Sequence, residues 1–444
     1  MRRVLATAVL VACLPTAYAQ DKAKGEFTHG GEYRVRDTWM QNAAGGDKSQ
    51  TNSQNTIYHR FKLGIGARAS EKLSAHLTLL GNATFGQISG ETQAEYSGAT
   101  GGTEENFAAI NEMYANWLLA DDLAVKLGRF NYQIGDGYVI GINDWEATPY
   151  SFEGVLGSWE AEFGRLQAFA FKLREYATAG PTSGDPEHNT YGLNFDLKTM
   201  PEWLKAVNVH VLQDAAQIAT AGTTGTTVKG TQGQDVLRYG ANAGFAFSIV
   251  DLKLWYAGYN GKIRNSSGSL DTEGTMMQAE LGVGFPGFMN SRVYAQYHQD
   301  SGDKNSTDNK NGRYDSYFYE RHDNAGLMDL FDWGNLTYIT VGWTGKPSDA
   351  TDVGLTYTMF SRTEKGDGVA SGLYGGQLNA ATTFGSDDKL GDEIDLWAEH
   401  RYENGLSTVA RVGYFMPGGY YDKATPDKRG DDVLQVMVQG KFAF

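Results

Sequence analysis

The chain has 444 residues, among them 56 Gly, 9 Pro, 25 Tyr and a single Cys, and a formal charge of −15. Abundant glycine with little proline excludes collagen and low-complexity disorder, and an acidic chain is a poor fit to nucleic acid. No run of about 18 apolar residues occurs, which excludes a membrane-spanning helix.

The first element in chain order is a targeting segment. Arg2 and Arg3 form a basic start, Val4 to Leu14 a short apolar run, and Ala17-Tyr18-Ala19 a small-x-small cleavage site, so residues 1–19 are expected to be removed. Residues 20–444 then form one domain. Cys13 leaves with the segment, and with it any disulfide or thiolate site. Losing Arg2 and Arg3 takes the charge from −15 to about −17. Only a few residues separate Gln20 from the first strand, so no plug domain is expected there.

From there on the dominant period is two. Phe61, Leu63, Ile65 and Ala67 alternate with Arg60, Lys62, Gly64, Gly66 and Arg68. Successive strand residues face opposite sides, so one face is apolar and the other charged or small. The pattern recurs in about eighteen segments, with sixteen as the alternative count. Their connections alternate in length. Short links such as Ser70-Glu71-Lys72, Ala120-Asp121-Asp122 and Glu403-Asn404-Gly405 are separated by long polar stretches at 43–54, 87–108, 133–151, 177–188, 217–235, 262–274, 300–333, 362–391 and 416–431. This alternation predicts an all-β, transmembrane antiparallel β-barrel of the bacterial outer membrane, with short periplasmic turns and long outer loops. The last segment puts Leu434, Val436, Val438, Gly440, Phe442 and Phe444 on one face and Gln435, Gln439 and Lys441 on the other. Its terminal aromatic resembles the signal read by barrel-assembly machinery. Expected partners are therefore that machinery, membrane lipid and lipopolysaccharide. Trp39, Trp117, Tyr132, Trp255, Tyr259, Trp343 and Tyr414 stand near strand ends and suit the interfacial girdles.

Sixteen to eighteen strands leave a water-filled channel unless something folds into it. The stretches 133–151 and 300–333 are the inward-folding candidates. Alternation turns Arg34, Arg36, Arg60, Lys62, Arg68, Lys126, Lys172 and Arg174 into the lumen, with Arg129 joining at a strand end. Two readings of this basic ladder stand side by side. It draws anionic solutes, or it forms ion pairs that stiffen the wall.

The stretch Leu127 to Gly154 carries Leu127-Gly128-Arg129, Asn131-Tyr132, Gly135-Asp136, Ile140-Gly141, Asp144-Trp145 and Ser151-Phe152-Glu153-Gly154. It resembles the alginate-export family of outer-membrane barrels. Glu153 stands where that family has aspartate, and Pro149-Tyr150 where an arginine often precedes the serine. The resemblance implies an eighteen-stranded, monomeric channel with a positive pore, and marks Asp136, Asp144, Trp145 and Tyr150 as constriction-loop candidates. No His-Glu-x-x-His run and no phosphate-binding glycine loop is present. Neither enzyme activity, nor a cofactor, nor a metal is expected. The Asp300, Asp303, Asn305, Asp308 and Asn309 loop reads as solvated rather than as a Ca²⁺ site. The leading expectation is a porin-like channel for passive passage of small polar or anionic solutes, with acidic saccharides as one class. The alternatives are a structural or surface-interaction barrel with a loop-occluded lumen and, behind it, a barrel hydrolase.

Overall fold

The computed structural model describes residues 25–42, 53–85, 109–175, 187–216, 233–265, 268–372, 387–421 and 432–444. The expected leader therefore lies outside the described residues.

The first barrel strands are β1 (Glu26–Gln41), β2 (Ser53–Arg68), β3 (Leu73–Phe85), β4 (Ala109–Ala120), β5 (Leu123–Phe130) and β6 (Phe152–Glu160). The next are β7 (Gly164–Glu175), β8 (Glu187–Leu197), β9 (Leu204–Ala216), β10 (Gly233–Phe247), β11 (Val250–Asn265) and β12 (Gly268–Phe285). The last are β13 (Ser291–Asp300), β14 (Leu336–Ser348), β15 (Thr351–Arg362), β16 (Lys389–Arg401), β17 (Leu406–Pro417) and β18 (Val433–Ala443). Each pairs antiparallel with its sequence neighbours. The sheet closes where β1 meets β18, with Arg34 opposite Lys441 and Arg36 opposite Gln439. Closure leaves no unpaired edge, the condition for a sheet to cross lipid, where backbone groups find no other partner. The sixteen-strand alternative is thereby replaced by eighteen.

The period of two is visible in the burial along each strand. On β2, Phe61 and Ile65 face outward while Arg60 is 1% exposed. On β18, Val438 and Phe442 face outward while Gln435 and Gln439 are buried. The girdle expectation holds only in part. Trp117 and Tyr414 are outward and exposed, but Tyr132, Trp255 and Tyr259 are buried. They pack inside because loop residues fill that part of the barrel and offer them apolar partners.

Those fillers form an unusual core for so wide a barrel. Phe130, Phe152, Phe169 and Phe171 from the wall pack in one cluster with Ile134, Val139 and Ile140 of residues 131–151 and with Tyr319, Met328 and Trp333 of residues 301–335. The main burial thus lies in the lumen, between wall and inserted loops.

Candidate functional site

Among the described residues, two long loops meet inside the barrel. Residues 131–151, between β5 and β6, fold on themselves, with Ile134 N donating to Ile140 O at 2.9 Å and Gly137 N to Ile134 O at 2.9 Å. Residues 301–335, between β13 and β14, run alongside. Gly141 N donates to Phe318 O at 2.7 Å, Phe318 N to Val139 O at 3.2 Å, and Glu320 N to Gly137 O at 2.8 Å. Asn143 N donates to Glu320 Oε2 at 2.6 Å, and Arg321 bridges Glu146 at 3.2 Å and Asp332 at 2.7 Å. The loops are therefore one unit, joined by backbone and ion pairs.

The basic wall holds this unit. Arg34 donates to the carbonyl oxygens of Asp144 (2.9 Å), Trp145 (2.9 Å) and Glu146 (2.8 Å). Arg60 donates to Asp144 O at 2.7 Å and Glu146 O at 2.9 Å, and pairs with Glu32 and with the Asp144 carboxylate. Lys62 also pairs with Asp144. Arg36 donates to Trp145 O at 2.7 Å and Gln439 at 3.0 Å. Guanidinium groups suit this task because their N–H groups are spread in a rigid fork. Burial pushes the Asp144 carboxyl up, but Arg60 and Lys62 outweigh it and hold it below its ordinary value.

Trp145 is the pivot. Its ring stacks on His322 at 3.6 Å between centroids and 2° between planes. Arg36 covers the ring at 3.5 Å and Arg411 approaches it at 4.6 Å. His322 Nδ1 lies 2.7 Å from Asp329, and Arg411 pairs with Asp323 at 2.7 Å. Burial raises the Asp323 carboxyl, yet Arg411 and His322 pull it well below the usual carboxylate range. Burial pushes Glu146 and Glu320 the other way, above theirs.

Further wall groups hold the second loop. Arg238 pairs with Asp315 at 2.5 Å and lies 3.5 Å from Asp214. Glu393 accepts from Leu327 N at 2.7 Å and Met328 N at 3.1 Å. Asp300, expected in a solvated loop, is 0% exposed. It pairs with His298 and accepts from Gly334 N at 3.0 Å and Leu336 N at 2.7 Å. Its reach to those amides draws the loop's return segment back to the wall.

The expected site residues sort unevenly. Arg34, Arg36, Arg60 and Lys62 converge on Asp144 and Trp145. Asp136 accepts from Trp255 Nε1 at 2.7 Å, and Tyr150 packs edge-on against Phe318 at 5.5 Å. Lys126 lies inside, its ammonium 4.4 Å from the Tyr114 ring centroid. Arg68 is exposed at the periplasmic end, 3.6 Å from Glu26. Two expectations are corrected. Arg129 and Lys172 stand opposite Glu153 in register, on the face that carries Leu127 and Val155, and so point out of the barrel. On β7 the inward set is Gln167, Phe169 and Phe171, which reverses the assumed parity. Arg174 pairs with His188 beyond a register shift, and its side chain lies outside the described residues. Arg238, Arg411 and Glu393 were legible as inward by alternation, but their loop partners were not.

Below the loops the lumen keeps two recesses. One, of about 560 Å³, is bounded by Asp136, Trp255, Lys253, Arg292 and Glu320. The other, of about 430 Å³, opens among Arg68, His76, Tyr114 and Lys126. Among the described residues no group of three or more His, Cys, Asp or Glu is placed to hold a metal ion.

No curated protein matches the sequence. Among solved structures the chain is similar to Pseudomonas aeruginosa OpdK with vanillate, at 12% identity and a TM-score of 0.58, covering 94% of this chain and 98% of that one. It is similar to P. aeruginosa OccK8 (OprE) at 11% identity and a TM-score of 0.57, covering 94% and 98%. It is also similar to P. aeruginosa OccK11 (OpdR) at 10% identity and a TM-score of 0.55, covering 94% and 96%. At these identities the likeness is one of fold. The profile described as alginate export matches residues 26–434. The chain is a porin-like β-barrel of the bacterial outer membrane and belongs to the alginate export family.

Proposed function

We propose that this channel passes small anionic solutes, acidic saccharides among them, without energy input and without catalysis. One observation carries the reading. Arg34 and Arg36 are 6% and 4% exposed, and their hydrogen bonds go to backbone carbonyls and Gln439 rather than to carboxylates. Carbonyl dipoles satisfy N–H groups but do not cancel a charge. Two positive charges therefore stand beside the loop that narrows the lumen, in a low-dielectric setting where their field is strong. OpdK, similar in fold, was solved with vanillate. Vanillate is a small carboxylate, which fits the same charge preference.

Liposome swelling tests the proposal. Proteoliposomes should swell faster in glucuronate than in glucose, and Arg34→Gln with Arg36→Gln should remove the difference. Equal rates in the wild type would end the anionic reading while leaving the channel intact.

A loop-occluded barrel with a surface role is supported by a different observation, the aromatic packing of Tyr138 and Tyr319 on Trp333 at 5.0 and 4.6 Å. Its mark would be absence of swelling in every solute. On either reading, residues 1–19 are an export leader, residues 20–444 form the barrel domain, and the β18 strand ending near Phe444 is what the barrel-assembly machinery binds.

A further inference from the structure

Glu393 and Asp395 stand two residues apart on β16, and both turn into the lumen, 0% and 2% exposed. Their neighbours in register bring no charge. Glu393 lies between Thr358 and Phe415, and Asp395 between Thr356 and Gly413. One oxygen of each carboxyl is engaged: Glu393 Oε1 accepts from Leu327 N at 2.7 Å and Met328 N at 3.1 Å, and Asp395 Oδ2 from Thr356 Oγ1 at 3.1 Å. The other two, Glu393 Oε2 and Asp395 Oδ1, are shut off from water and receive no donor from the other described residues. The two carboxyls lie within hydrogen-bonding reach of each other. Ionised carboxylates only accept, so that bond requires a proton on one of them. Two bare charges side by side in a buried site are the costly alternative. The cation facing the pair is Arg411 of β17, whose Nη1 is held by Asp323 at 2.7 Å and by His322. Asp329 of the second loop also faces Arg411, and Tyr294 of β13 faces Asp395. Arg411 favours the charge on Asp395, which leaves the proton on Glu393.

We propose that this shared proton is a latch: it holds residues 326–328 down on β16, and its loss as pH rises frees the second loop from that wall. Such a latch acts on the loop whatever solute passes. With the loop docked, the Leu327 and Met328 amides sit on Glu393, and Met328 packs beside Asp395 over Gly413. Gln435 of β18 adds a hydrogen bond to Met328 O at 3.3 Å. Water is kept out, and one proton stays. With the loop lifted, water reaches both carboxyls, and each ionises near its ordinary value of about 4. The docked state therefore binds one proton more than the lifted state. Linkage then raises the ratio of lifted to docked loop about tenfold per pH unit. Docking is strongest in acid and weakens as pH rises, until the docked pair itself gives its proton to solvent.

Glu393→Gln separates a shared proton from an ordinary contact. Its amide oxygen still accepts from Leu327 N and Met328 N, and its NH₂ donates to Asp395 permanently. The variant imitates the protonated pair and has no proton to lose. The test is hydrogen exchange of residues 326–330 in the refolded full-length protein, corrected for the intrinsic rate at each pH. In the wild type, protection should fall with pH more steeply than in Glu393→Gln, by about tenfold per pH unit. Taking the difference cancels the contribution of every other titrating group. A second reading is infrared. The wild type at neutral pH should show a protonated-carboxyl stretch that is absent from Glu393→Gln. Folding is checked by heat-modifiable gel migration, and Asp395→Asn, which makes the reciprocal bond, serves if Glu393→Gln fails to fold. Equal pH slopes in wild type and variant would overturn the latch. So would an infrared spectrum with no protonated carboxyl lost on substitution.

Discussion

Arg36 lies face-on to Trp145, with its guanidinium carbon 3.5 Å from the ring centroid, and donates to the Trp145 carbonyl at 2.7 Å. The far-reaching consequence is that a barrel strand fixes the height of the loop that narrows the lumen. β1 carries Arg34 and Arg36, β2 carries Arg60 and Lys62, and together they hold the Asp144-Trp145-Glu146 turn.

Arg36→Ala removes a charge-assisted hydrogen bond and a cation–π contact, worth together about 2–4 kcal/mol of loop docking. The barrel itself should remain folded. Single-channel records should show larger current fluctuations and a higher mean conductance than the wild type. An unchanged record would place the control of the lumen elsewhere.

Trp145→Ala takes away the ring on which His322 and Arg36 rest. It should loosen residues 301–335 as well as 131–151, since the ring stack adds to the backbone and ion-pair contacts that join the two. Limited proteolysis checks this: cleavage should appear in both loops. Cleavage in residues 131–151 alone would mean that the loops are anchored independently.

Gly326 has φ +79, and a Cβ there would strike the Glu393 carboxylate that holds Leu327 N and Met328 N. Gly326→Ala should therefore undock this part of the second loop, at a cost of about 1–3 kcal/mol from backbone strain with the clash in addition. Hydrogen exchange of residues 324–330 should rise, while exchange in β16 stays slow.

The pH response has two signs. Glu146 and Glu320 have raised carboxyl values in the docked loops, through burial. Their contribution is full below the ordinary value of 4.5 and is lost as pH rises through the raised values. Asp144 and Asp323 are depressed by their cations despite burial. Their contribution is full above the ordinary value of 3.8 and is lost only as pH falls through the depressed values. Current fluctuations should therefore grow as pH rises above 4.5, and Glu146→Gln should flatten that rise. Fluctuations that grow only in strong acid would mean that Asp144 and Asp323 dominate.

Much of the barrel was legible because lipid imposes a strict rule. Each strand must show lipid an apolar face, so Phe61, Ile65, Val438 and Phe442 reveal both strand and side. The alternating link lengths revealed which ends lie outside. The rule weakens at strand ends, where Arg129 and Lys172 can face headgroups instead of water in the lumen. Parity on β7 was misread for the same reason: Phe169 and Phe171 are apolar yet inward, because inserted loops turn part of the lumen into a core. That core depends on long-range meetings such as Trp145 with His322, separated by many strands, and no local pattern encodes them. The Asp144-Trp145 pair was legible only as a resemblance, while its grip by Arg34 and Arg60 required the closed barrel to bring β1 and β2 beside residues 131–151.

The central claim is that the buried Arg34 and Arg36, hydrogen-bonded to carbonyls beside a latched loop, give an open channel its charge preference. The reversal potential of the purified protein in a planar bilayer under a salt gradient tests it most directly. The account predicts conduction with a preference for anions, reduced when Arg34→Gln and Arg36→Gln are combined. A protein that never conducts, or one that prefers cations, would contradict it.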